Sequence, residues 1–328
     1  MTVDTEGRVQ EILRTAGIAP DRLAGLRPLT GGTYNTVTEV RLTDGARYVL
    51  KVPPAASVPG MRHERLLLLG EAEFYRGAAR AAVPAPRVVS LSDAAAERQY
   101  LLMTACPGDP WDDGALDAGE QGALRTGLGR AVARLHRITG PGFGYPSGAL
   151  GPLAADWGTA FTAMFDAALA DARDYRAWLP RPVDEIAAVL RAGRGALDEV
   201  TTACLVHFDL WRGNILVDRS AGPPRLGGLI DGERMFWGDP LADFVSLALL
   251  GDIREDEAFL AGYREGGGRA GFDGPASTRL ALYRAYLYVI MLTETVPRAV
   301  GGEQVRWVRD AVAPELVKAL AEIEDRAR

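Results

Sequence analysis

The segment that constrains this chain most is Cys204-Leu-Val-His207-Phe-Asp209-Leu-Trp-Arg-Gly-Asn214-Ile-Leu-Val217. An apolar run enters a polar loop and leaves it as a second apolar run, which reads as strand, loop, strand. Inside the loop the order is His-x-Asp-x-x-x-x-Asn. A carboxylate and a neutral amide at that spacing can share one chemistry. The Asp accepts the proton of an incoming hydroxyl, and the Asn offers an uncharged oxygen to a hard cation such as Mg²⁺. Asparagine occurs only as Asn35 and Asn214 in 328 residues, so chance seldom puts one at a set position. The competing interpretation is a polar turn whose Asp and Asn merely cap backbone groups.

Asp231 follows Asn214 by 17 residues, delivered by the apolar run 226–230 into Asp231-Gly-Glu233. An anionic oxygen is the ligand Mg²⁺ prefers. Two carboxylates near 4 Å repel by roughly 4 kcal/mol at an effective dielectric of 20, so Asp209 and Asp231 facing one cleft would favour a bound metal. Upstream, Leu29-Thr-Gly31-Gly32-Thr-Tyr-Asn35-Thr joins two expected strands. Glycines there let backbone N–H groups approach phosphates. Lys51 ends the next strand, in Tyr-Val-Leu-Lys51-Val, and needs a carboxylate to hold it. Glu71 and Glu73 on the following helix are two apart, about 200° around it, and cannot both face the cleft. Glu71 is preferred.

Periodicity organises the rest. The expected strands are 26–29, 36–42, 47–52, 87–91 and 100–103, with expected helices at 5–16 and 63–82. Turn-rich 105–114 is taken as the boundary between a nucleotide-binding lobe, 1–104, and a helical lobe, 105–328. Helices are expected there over 120–137, 159–172, 183–200, 241–250, 256–265, 277–296 and 303–323. Short strands at 204–207, 215–217 and 226–230 interrupt them. The fold class is therefore α+β: a five-stranded antiparallel sheet with a helix, then a larger, mainly helical part.

Charge narrows the partners. Basic residues number 37 against 43 acidic, a net charge of −6, which argues against a nucleic-acid binder. No run approaches ~18 apolar residues, so no membrane partner is expected. The N-terminus carries Asp4, Glu6 and Glu11, unlike a signal or transit peptide, and Cys106 and Cys204 cannot form a disulfide framework. A cytoplasmic location is expected; oligomeric state is open. The chain lacks G-x-x-x-x-G-K-[ST] and G-x-S-x-G, and 266–271 matches G-x-G-x-x-G without a preceding strand.

Taken together and in this order, the segments resemble the aminoglycoside phosphotransferase family of small-molecule kinases, relatives of choline and fructosamine kinases. The resemblance covers roughly 27–296 and implies a bilobal, protein-kinase-like fold with the nucleotide between the lobes. It implies Mg²⁺-dependent transfer of the γ-phosphoryl group of ATP or GTP to a hydroxyl of a small molecule. Asp209 would be the catalytic base, and Asn214 and Asp231 the metal ligands. Lys51, held by Glu71, would pair the α/β-phosphates under Gly31 and Gly32. Leu101-Leu-Met103-Thr104-Ala-Cys106-Pro-Gly108 is similar to the family's hinge. It implies base recognition by the Thr104 carbonyl and the Cys106 N–H, with Met103 beside the ring. Asp243 would brace the catalytic loop, through His207. Two departures stand out. Phe208 replaces the family's usual Gly and could narrow the acceptor side, and Asp231-Gly232-Glu233 replaces Asp followed by an aromatic, with Glu233 a further metal or substrate contact.

The acceptor expected first is an antibiotic, in resistance or self-protection. A metabolic acceptor for a fructosamine-, choline- or homoserine-type kinase comes second, supported by Asp209-Leu-Trp-Arg-Gly-Asn214. A nucleotide-binding pseudokinase comes third, disfavoured by the intact Lys51, Asp209, Asn214 and Asp231. Acceptor candidates are Asp156, Trp157, Asp166, Trp237, Tyr283, Tyr286 and Glu294.

Overall fold

A computed structural model describes residues 3–29, 34–96 and 98–327. The chain opens with α1 (Val3–Thr15), β1 (Leu23–Leu29), β2 (Thr36–Leu42), β3 (Arg47–Val52), α2 (Leu67–Arg80), β4 (Val88–Leu91) and β5 (Leu101–Thr104). The strands form one antiparallel sheet in the order β1-β2-β3-β5-β4. All five expected strands are present. Gly45, at φ 84°, turns β2 into β3, and the Asp44 carboxylate accepts the Ala46 N–H at 3.0 Å.

Strand alternation sorts the two faces of this sheet. Val40, Leu42, Leu50 and Leu102 meet Val9, Ile12 and Leu13 of α1 on one face. Lys51, next to Leu50, turns to the other face, where α2 lies. That helix starts at Leu67, later than expected. Arg62–Glu64 form a separate 3-10 turn, and Leu66 breaks the path with φ 61°.

The second part contains β6 (Asp109–Pro110), α3 (Ala118–Leu135), α4 (Trp157–Asp174), α5 (Val183–Gly193), β7 (Cys204–Val206), β8 (Ile215–Asp218), β9 (Arg225–Leu229) and β10 (Phe236–Gly238). It closes with α6 (Asp243–Leu247), α7 (Glu257–Glu265), α8 (Gly274–Thr293) and α9 (Gly302–Arg326). Helix starts follow their caps. Asp117 and Glu120 form a capping box on α3, and Asp156 accepts the Thr159 N–H at 2.7 Å on α4. The helix expected over 183–200 ends at Gly193 and tightens into a 3-10 turn, Arg194–Glu199. Strands β6 and β10 were not expected, because two or three residues carry no readable alternation.

Helix α8 is buried almost all round and serves as the axis of this part. Gly129 and Gly262 let α3 and α7 touch backbone to backbone: a Cβ at Gly262 would lie 2.0 Å from the Thr126 carbonyl oxygen. The short strands make two small sheets, β6-β8-β9 and β10-β7, and the turn after β9 brings Asp231 to Lys51 of the large sheet. Among the described residues no helix is long and apolar enough to cross a membrane.

Candidate active site

The loop after β7 is held mainly by its backbone. Asp243, the first residue of α6, accepts the N–H groups of His207 at 2.9 Å and Phe208 at 2.6 Å. It also meets His136 Nε2 at 2.9 Å. Asp243 therefore braces the loop as expected, but through main-chain N–H groups rather than the His207 ring. That ring has another task. Its Nε2–H donates to the Ile230 carbonyl at 2.9 Å, and its Nδ1 accepts the Asp209 N–H at 3.2 Å. Asn214 Nδ2 donates to the Asp209 carbonyl at 2.8 Å and to its carboxylate at 3.1 Å. The Asn214 carbonyl accepts the Ile230 N–H at 3.0 Å. The loop bearing Asp209 and Asn214 is thus stitched to the strand end that presents Asp231.

Phe208 corrects one expectation. Its backbone is left-handed, φ 63°, the conformation glycine adopts most easily. Its ring is fully buried against Phe236, 5.0 Å away, and Tyr286, 5.6 Å away. Burying a phenyl ring contributes about 1.5–3 kcal/mol, enough to offset about 1–2 kcal/mol of left-handed strain. The ring is core and does not narrow the acceptor side.

Lys51 lies at the centre of an acidic group. Its ammonium is 2.7 Å from Glu71, pairs directly with Asp231, and is 3.5 Å from Glu233. Glu73 instead reaches toward Arg76 and Arg80, so of the two glutamates Glu71 is the one beside Lys51. Burial would strip the charge from Lys51, but Asp231, Glu71 and Glu233 hold it protonated well above the ordinary range. Burial raises the Glu71 carboxyl despite Lys51, and the ammonium brings Asp231 below its ordinary value against its own burial. Glu233 does not face solvent. It is buried, accepts from Asn35 Nδ2 at 2.6 Å, and is pushed upward by burial and Asp231.

On the other side of Asp209 the sequence left most of the residues unnamed. Arg234 Nε lies 3.8 Å from the Asp209 carboxylate, and its Nη2 is 2.8 Å from Glu294. Arg298 is 3.2 Å from Glu294 and pairs directly with Glu64, while its guanidinium lies 5.6 Å from the Tyr34 ring centre. Burial raises the Asp209 carboxyl, with Arg234 opposing. Of the acceptor candidates, Glu294 belongs to this group. Trp157, Trp237, Tyr283 and Tyr286 are buried in the core, Asp156 caps α4, and Asp166 is exposed. No spacing in sequence joins Glu64, Arg234 and Arg298. Only an arginine three residues past Asp231 hinted at it.

Next to Glu64, His63 is buried against Tyr145 at 5.8 Å, and burial lowers its ring from 6.5 to about 4. The unfolded chain takes up that proton near 6.5 and the folded chain does not. Stability from the neutral ring is therefore present above 6.5 and lost as pH falls toward 4, by about 3 kcal/mol in all. In His63→Gln, urea midpoints measured at pH 7 and 4.5 should differ by less than in the wild type. Parallel curves would show that His63 does not titrate as assigned.

Other expected residues are more loosely placed. Gly31 and Gly32 lie outside the described residues. Met103 is buried in the main core, and its register partners are Val49 and Val88. Thr104 Oγ1 accepts the Arg87 N–H at 2.9 Å, and the half-buried Cys106 gives its carbonyl to Arg47 at 3.3 Å. A cation fits the donor set. Asp231 offers a carboxylate, and Asn214, with its amide nitrogen engaged by Asp209, keeps an amide oxygen for a cation. Glu71 Oε2 is buried without a hydrogen-bond partner. One oxygen each of Glu71, Asp231 and Glu233 lies within 4.8 Å of the others.

The chain is similar to several known proteins. A family model described as "Phosphotransferase enzyme family" matches residues 25–282. A Lactiplantibacillus plantarum protein named "Probable ketoamine kinase" is 28% identical over 251 residues, covering 73% of this chain and 79% of the relative. A Thermobifida fusca structure, inferred to be a fructosamine-3-kinase, superposes with a TM-score of 0.69 at 21% identity, covering 98% of both chains. A thermostable mutant of aminoglycoside phosphotransferase APH(4)-Ia, in ternary complex with AMP-PNP and hygromycin B, gives a TM-score of 0.59 at 18% identity. It covers 93% of this chain and 94% of that one. At these identities the solved structures speak for the kinase-like fold alone.

Proposed function

The chain belongs to the phosphotransferase enzyme family, a small-molecule phosphotransferase, and from that premise we propose a kinase that phosphorylates a polyhydroxylated amine of the ketoamine type. The observation that carries the substrate class is the charge balance beside Asp209. Two guanidiniums, Arg234 and Arg298, already engage Glu64 and Glu294. Counting Asp209, three carboxylates stand against two cations, a surplus of one negative charge. One ammonium group suits that surplus. An aminoglycoside, with several ammonium groups, needs carboxylates not already engaged by arginine. The ketoamine kinase relative supports the same class. The hygromycin B complex of a fold neighbour keeps an antibiotic acceptor as the second reading.

In the proposed reaction Asp209 orients the acceptor hydroxyl and takes its proton. The acceptor oxygen bonds to the γ-phosphorus as the bond to the β–γ bridging oxygen breaks, and the nucleoside diphosphate leaves. Lys51, held by Glu71, pairs the α/β-phosphates, and Gly31 and Gly32 are kept as phosphate-binding residues in this proposal. Thr104 and Cys106 bind the base edge of ATP or GTP beside Met103. Asn214 and Asp231 would hold Mg²⁺, which when bound neutralises charge on the phosphate oxygens. Positioning and charge neutralisation carry most of the rate. The nucleotide-binding lobe would end at Thr104 and the helical lobe begin at Ala105. Free Cys106 and Cys204 suit a reducing, cytoplasmic location.

The test is phosphoryl transfer from γ-labelled ATP or GTP with Mg²⁺ to sugar–amine adducts, amino alcohols and aminoglycosides. The highest kcat/KM is expected for a singly charged sugar–amine adduct. A higher value for an aminoglycoside would replace the ketoamine class, and nucleotide uptake without any transfer would favour a pseudokinase.

A further inference from the structure

We propose that the Tyr75 hydroxyl is a positioning group that locks Glu71 and Asp231 into one unit, so that the lysine clamp and the metal-binding carboxylate are set together. The proposal rests on the roles assigned above to Lys51, Glu71 and Asp231. Tyr75 lies four residues beyond Glu71 on α2, and the two side chains share a helix face. Its hydroxyl donates to Glu71 Oε1 at 2.6 Å and accepts the Asp231 N–H at 3.0 Å. A hydroxyl carries one proton and two lone pairs, so both bonds form at once, each in a set direction.

The need for such a group follows from the turn itself. Asp231 is left-handed at φ 62°, an uncommon state for a residue with a side chain, which persists when its surroundings hold it. Strand pairing has ended by then, since β9 stops at Leu229 and the Ile230 N–H goes to Asn214. The next N–H, that of Asp231, is taken by Tyr75. The neighbouring α2 residue closes the turn sterically: a Cβ at Gly232 would lie 2.4 Å from the Phe74 ring. Tyr75 is 1% exposed, which leaves water no ready route to replace its hydroxyl. The other carboxylate oxygen of Glu71, Oε2, has no hydrogen-bond partner, so Lys51 and Tyr75 are what orient this carboxylate. Helix α2 therefore cannot carry Glu71 away from Lys51 without pulling on the backbone of Asp231.

The experiment titrates Mn²⁺ into the full chain with a non-hydrolysable ATP analogue, following free Mn²⁺ by electron paramagnetic resonance. In Tyr75→Phe the Mn²⁺ dissociation constant should rise about 10–100-fold, the range seen when a group orienting a metal ligand is lost. The Mg²⁺ concentration for half-maximal activity should rise with it, while KM for the acceptor stays unchanged. A lower thermal midpoint with unchanged Mn²⁺ affinity would make Tyr75 merely structural and overturn the proposal. Glu71→Met removes the acceptor of the Tyr75 proton and keeps a side chain of similar length. It should weaken Mn²⁺ similarly, and unchanged affinity there overturns the proposal whether or not Tyr75→Phe folds. Absence of Mn²⁺ uptake by the wild type would take away both the proposal and the metal–nucleotide function beneath it.

Discussion

Asp209→Asn is expected to lower kcat by about 10²–10⁴-fold while leaving nucleotide affinity near that of the wild type. The substitution keeps the side chain's size and an oxygen that can still accept from Asn214 Nδ2, now 3.1 Å from the carboxylate. The backbone bonds that hold the loop, through Asp243 and the His207 ring, do not involve the removed charge. What disappears is an acceptor for the hydroxyl proton. Burial raises the affinity of Asp209 for that proton, which suits a base working near neutral pH. Arg234 would lose one of its two carboxylate partners and keep Glu294. Steady-state kinetics with calorimetric nucleotide binding separates the outcomes. Turnover close to the wild-type rate would remove the base role, and loss of nucleotide binding would mean the loop had been disturbed instead.

Lys51→Met is expected to abolish transfer and, because the ammonium is buried among carboxylates, to destabilise the fold by about 3–5 kcal/mol. The reason is the company it leaves behind. Glu71 is fully buried, Glu233 is nearly so, and Asp231 joins them, all brought together around one ammonium. Without it the three carboxylates repel each other, and the folded chain relieves this by binding protons. Their folded-state affinities for protons then exceed those of the unfolded chain, so stability falls as pH rises above the ordinary carboxyl range. The deficit should be small near pH 4 and full by pH 8, read from urea midpoints at several pH values. Adding Glu71→Gln should restore part of the stability and none of the activity. A pH-independent deficit would show that methionine packs poorly there and that the carboxylates are not the cause.

How much of this could be read from the residues alone depended on whether a group announces itself locally. Lys51 was legible because it ends an apolar strand, and Glu71 because a helix cannot turn residues 71 and 73 to one side. Asp209 and Asn214 were legible because their loop is bounded by apolar runs on both sides. The acceptor-side aromatics misled for a physical reason. Trp157, Tyr283 and Tyr286 carry polar atoms and look like ligand contacts, but their polar groups satisfy one another or Asp239 and Tyr145 inside the core. Phe208 was legible as a departure and not as a solution, since the partners that make its strained backbone tolerable, Phe236 and Tyr286, lie 28 and 78 residues away.

Local order along the chain was thus enough for the antiparallel sheet, the helical second part, and the loop that carries Asp209 and Asn214, because strand and helix periods and cap residues act over a few neighbours. Which charges meet was settled by folding. Glu64 comes from the turn before α2, Arg234 from the turn after Asp231, and Glu294 and Arg298 from the end of α8 and the segment beyond it. Tyr75 reaches Asp231 across 156 positions. Such meetings are governed by how elements pack against each other and by the need to pair every buried charge, and neither leaves a mark in the spacing of residues.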